Sequence, residues 1–153
     1  MIDAGQSRDV ADERRRGSRL ERLSHPARAL LAIEILKAYV QARRALRRAP
    51  IADVVAGLRS QSPPTTAPTA ESLDEALRLG WAVSRLLAHV PGDTRCLARS
   101  LVLTRLLAKR GIPSTLVIGA STTPAFLAHA WVEHDGNAVL KPGDDSFGRL
   151  VEL

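Results

Sequence analysis

Apolar residues recur at helical spacing through residues 24–48, "SHPARALLAIEILKAYVQARRALRR". Ser24 suits a cap, and Pro26 suits the first turn, where no intrahelical N–H is needed. Leu30, Ile33, Leu36, Lys37 and Val40 fall on one face, with Leu31, Ile35 and Tyr39 beside them. A stripe that broad predicts a well-buried helix. The arginines at its end complement the negative pole of the helix dipole. A short helix, "IADVVAGLRS", is predicted after Pro50. A third spans "SLDEALRLGWAVSRLLAHVP", opened by a Ser72/Glu75 capping box and stopped by Pro91-Gly92. Asp93 or Thr94 then caps a fourth helix that runs to about Arg110. Gly111 supplies its left-handed end, and Pro113 prevents continuation.

Beyond Pro113 the period shortens. "STLVIGAS" predicts a strand, and "AFLAHAWVEHDGNAVL" predicts a hairpin with Asp135-Gly136 in a type I′ turn. Asp135 is therefore assigned to the turn, and "FGRLVEL" is a candidate last strand. Helices followed by a small antiparallel sheet make the chain α+β. The divisions predicted are a disordered basic N-terminus (1–22), a helical segment (23–60), a Ser/Thr/Pro-rich linker (61–71) and a core (72–153). The first helices are too little core for an independent domain.

Composition adds less. Of the 153 residues 45% are hydrophobic but only 3% aromatic, so Leu, Val, Ile and Ala must build the core. The net charge of +6 belongs to the first 50 residues, which hold 12 Lys/Arg and 6 Asp/Glu. The remainder holds 10 of each. The basic residues lie in a tail and one helix without interleaved aromatics, which argues against nucleic-acid binding. The longest apolar segment carries Glu34 and Lys37 near its centre, so no membrane span is expected. With no apolar h-region near the start, a cytoplasmic protein is expected. A single cysteine forms no internal disulfide, and no Cys/His cluster suggests zinc. No cofactor is expected.

That cysteine, Cys96, opens "CLARSLVLTRLLAKRGIPSTLVIG" three residues after Asp93. In a first helical turn it meets free backbone N–H groups and the positive end of the helix dipole, and both favour the reactive thiolate. A small buried cysteine is the competing reading. A nucleophile needs a base. Of four histidines, His25 begins a helix and His89 ends one. His129 sits mid-strand in "FLAHAWVEH", on one face with Leu127, Trp131 and Glu133, and must find a hydrogen-bond partner there. A helix-start cysteine with a strand histidine is an arrangement that thiol enzymes use.

Together, Cys96-Leu97, Arg110-Gly111-Ile112-Pro113, Leu116-Val117-Ile118-Gly119 and His129 to Glu133 resemble the leader peptidases of lasso-peptide biosynthesis, over roughly residues 72–140. The resemblance implies a papain/transglutaminase-like fold and a cysteine protease with Cys96 as nucleophile and His129 as base. It implies a ribosomal precursor peptide as substrate, cut between leader and core. It also implies two partners, a small leader-recognition protein and an asparagine-synthetase-like cyclase. ATP would belong to the cyclase, since this chain has no P-loop. One feature departs from the family: Lys141 stands where an orienting acid is usual. Asp144, or else Asp145, is the candidate third member. Without such an acid the dyad is either weaker but still working, or dead; a chain whose catalytic pair is a relic would be a module that docks precursor or cyclase. An acyl-thioenzyme resolved by an amine would make it a transferase instead.

Overall fold

A computed structural model describes residues 24–60, 67–90, 96–122, 126–140 and 147–153. Among them four helices precede four strands: α1 (His25–Leu46), α2 (Ile51–Ser60), α3 (Ala70–Leu87), α4 (Cys96–Ala108), β1 (Thr115–Ser121), β2 (Leu127–His134), β3 (Asn137–Ala138) and β4 (Gly148–Glu152). The strands form one antiparallel sheet in the order β3-β2-β1-β4. This is the α+β architecture that the change of period predicts.

The organising element is α4. Ala98, Ser100, Leu101, Val102, Leu103, Thr104, Leu106 and Leu107 are all buried, covering every side of the helix. A helix apolar all round belongs at the centre of a core, and α1, α2, α3 and β2 all pack on it. Its end follows the predicted chemistry. Gly111 takes a φ of 67°, Ile112 N–H donates to the Leu107 carbonyl (3.0 Å), and Gly111 N–H donates to Ala108 (2.9 Å). This pair of bonds is the Schellman closure that glycine permits. The chain then turns through Pro113 into β1.

Two local expectations need correction. In α1 the buried residues are Ile35, Ala38, Tyr39 and Ala42, whereas Leu30, Ile33, Leu36 and Val40 are exposed. The alanines let α1 approach α4 closely, so the narrower stripe faces inward. In α3 the cap is Thr69 rather than Ser72. Thr69 Oγ1 accepts from Ser72 N–H (3.1 Å), and Ser72 Oγ accepts from Thr69 N–H (2.9 Å). Ser72 is thus the third residue of the box, and Glu75 is released to pair with Arg78 and Arg110. No helix among the described residues is long and apolar enough to cross a membrane.

The hairpin turn forms as predicted, but its returning strand is only Asn137–Ala138. Asp135 and Gly136 take φ values of 50° and 73°, and His134 pairs with Asn137. β1 runs away from the C-terminal end of α4 and β2 returns, so β2 travels in the same sense as α4. Arg59 of α2 ties the start of β1 to the end of β4 by donating to the carbonyls of Ser114 (2.5 Å) and Leu153 (2.8 Å).

Candidate active site

Two contacts fix how α4 lies against β2. Near the C-terminal end of α4, the fully buried His134 ring bonds through Nδ1 to the Pro113 carbonyl (2.6 Å). Near the other end, Ser100 Oγ donates to the Ala130 carbonyl (3.0 Å), also fully buried. One turn of helix, about 5.4 Å, leads from Ser100 back to Cys96, the first residue of α4. One residue of strand leads from Ala130 back to His129. The two sequence-predicted residues therefore lie at the same end of the helix–strand pair. Both are half-buried.

Cys96 stands at the start of a helix, as expected of it, and is the first residue of α4. The first N–H groups of an α-helix have no intrahelical acceptor, so this terminus offers donors and a positive pole to an anion. The expected cap residues Asp93 and Thr94 lie outside the described residues. So do Lys141, Asp144 and Asp145.

The His129 ring is held by aromatic neighbours. Trp131 stacks on it with centroids 6.2 Å apart and planes at 19°, and Phe147 lies against it at 5.4 Å and 43°. Trp131 is itself fixed, since its Nε1–H donates to Glu133 Oε1 (2.8 Å). Glu133 in turn accepts two bonds from Arg149 of β4, at 2.8 and 3.1 Å. Those bonds, together with Glu152, hold the Arg149 guanidinium above its ordinary range. Gly119 opposite His129 leaves room for this stack. A Cβ there would stand 2.8 Å from the Trp131 ring and 2.7 Å from the Gly148 carbonyl. His129, Trp131 and Glu133 share one face of β2, as alternation requires, and these contacts join them.

The other histidines have different tasks. His89 Nδ1 meets the Arg85 carbonyl at 2.9 Å, the helix-end contact its position suggests. His25 is exposed at the start of α1. His134 is structural, bridging Pro113 and Ser72 Oγ (2.9 Å). Sequence reasoning missed Ser100 and Phe147. Ser100 had a signal, as a hydroxyl four residues after Cys96 in an apolar run. Phe147 had none, because its contact depends on where β4 joins the sheet.

The family model described as transglutaminase-like superfamily matches residues 36–152. No curated protein and no solved structure matches the chain.

Proposed function

The chain belongs to the transglutaminase-like superfamily, and from that membership and the site geometry we propose that it is a cysteine endopeptidase that removes the leader from a lasso-peptide precursor. The observation that carries this reading is the Ser100–Ala130 bond, which registers the α4 terminus against β2 so that Cys96 and His129 share one end. Cys96 Sγ attacks the scissile carbonyl, and His129 takes the thiol proton. The tetrahedral oxyanion is met by the Cys96 backbone N–H and the helix terminus. The C–N bond then breaks, and His129 delivers its proton to the departing amine. Water, deprotonated by the same imidazole, releases the leader acid and restores the thiol. Asp144 is the acid we assign to orient His129. A cytoplasmic setting, a leader-recognition protein and an asparagine-synthetase-like cyclase complete the reading.

The test is cleavage of the candidate precursor, followed by mass spectrometry, with and without the recognition protein. Cys96→Ala should abolish release of the leader. His129→Ala should slow it by about 10²- to 10⁴-fold, the usual range for a positioned base. Asp144→Asn should slow it at least about tenfold, since the orienting acid in such sites sets imidazole geometry. Full maturation by Cys96→Ala would overturn the proposal and leave a docking module.

A further inference from the structure

The N-terminal half of α1 and the C-terminal half of α3 do not close on each other. Between them lies an open cleft of about 300 Å³. Its floor is apolar: Leu31 and Ile35 from α1, Trp81 and Leu86 from α3. Its rim carries Arg28 on one side and Arg85 on the other, with the His89 imidazole beside Arg85, all three exposed. Arg85 stacks on the Trp81 ring, with its guanidinium carbon 5.6 Å from the ring centre. That contact holds a bidentate donor at the edge of the apolar floor. Among the described residues none that lines the cleft is acidic. The site suits a ligand with an apolar body and flanking carboxylates.

Its place in the chain matters as much as its chemistry. His89 on the rim is seven residues before Cys96, so the two are at most about 25 Å apart along an extended chain. An extended peptide of similar length reaches from cleft to thiol. We infer that this cleft is a docking site for an acidic, amphipathic segment of the substrate peptide, upstream of the bond presented to Cys96. The inference rests on the peptidase reading for its ligand's identity, but its binding test does not. Docking remote from the reacting bond is uniform binding, so its loss raises KM and leaves kcat unchanged.

The experiment uses the full chain carrying Cys96→Ala, which binds without cutting. The probe is a fluorescein-labelled peptide of glutamate and leucine, compared with its lysine–leucine counterpart by anisotropy. Saturable binding of the acidic probe alone is expected. Arg85→Glu should weaken it at least about tenfold, because reversing the charge sets a carboxylate against the acidic probe. Arg85→Gln should weaken it less. Arg47→Glu alters the net charge equally, at an exposed position at the end of α1, and should leave affinity within about twofold because solvent screens it. Circular dichroism melts confirm that each variant folds. Equal loss from Arg85→Glu and Arg47→Glu would overturn the inference, as would equal binding of the lysine probe. So would no saturable binding up to about 1 mM, the weak end of specific association. Arg85-dependent binding to phosphatidylglycerol vesicles in preference to the peptide would also overturn it. Should the native chain fail to cut the precursor while Cys96→Ala still binds the probe through Arg85, the peptidase reading falls and the cleft stands.

Discussion

Ser100 and Thr104 are two fully buried hydroxyls one turn apart on α4, and they meet opposite fates. Ser100 Oγ bonds to Ala130, while Thr104 Oγ1 has no hydrogen-bond partner among the described residues. A buried hydroxyl left unpaired costs about 1–3 kcal/mol. Thr104→Val keeps the branched shape and removes that cost, so it should stabilise the fold by about 1 kcal/mol. Ser100→Ala does the reverse, leaving the Ala130 carbonyl without this donor, and should destabilise by about 1–2 kcal/mol. Urea denaturation of both variants checks the pair, and a loss of stability in Thr104→Val would show that its hydroxyl is satisfied. The contrast also marks what single residues reveal. The place of Cys96 at a helix start was legible because Pro91-Gly92 bounds the helix before it. The partner of Ser100 is a backbone carbonyl of another element, and no side-chain pattern announces it.

At the scale of elements, α1 shows how a correct helix can be given the wrong face. Both of its apolar faces have helical spacing, and the exposed one has the larger side chains. Spacing puts Leu30, Ile33, Leu36 and Val40 in one broad stripe with Ile35 and Tyr39, but the fold buries Ile35 and Tyr39 together with Ala38 and Ala42 and leaves the rest of the stripe exposed. Polar contacts agree with that choice: Glu34 reaches Arg110 at 2.9 Å, and Arg43 donates to Tyr39 Oη at 3.3 Å. Ile35→Ala should therefore cost about 2–4 kcal/mol by emptying core volume. Ile33→Ala, at 49% exposure, should stay within about 0.5 kcal/mol. Equal costs in urea denaturation would mean that both faces are covered. The strands were easier to read, because alternation has a period of two and Asp135-Gly136 pins the register. The loss of that register beyond Ala138 was not legible, since only two residues of β3 pair with β2.

Across the whole molecule, a charged network joins three helices of the core. Arg110, just past α4, pairs with Glu34 of α1 and, through Nε at 3.7 Å, with Glu75 of α3. Arg78 pairs with the same Glu75, and Lys109 lies 3.4 Å from Glu34. The basic first helix is thereby part of the same body as the site, in keeping with a family match that begins within α1. Partial burial pushes the Glu34 carboxyl up, but the hydrogen bonds and charges of Arg110 and Lys109 outweigh it and hold the group below its ordinary value. A carboxyl lowered on folding adds stability above its unfolded value, and that stability is lost as pH falls through the folded value. Glu34→Gln should accordingly be less stable than the native chain at pH 7. The gap should shrink from about pH 4 downward, where free glutamate takes up its proton. Because the pair is still partly exposed to solvent, added salt should narrow the gap at pH 7 as well. Thermal melts of the two proteins from pH 7 to acid measure this directly. A gap that widens on acidification would mean that Glu34 is held protonated in the fold, and that Arg110 secures α1 through some other group.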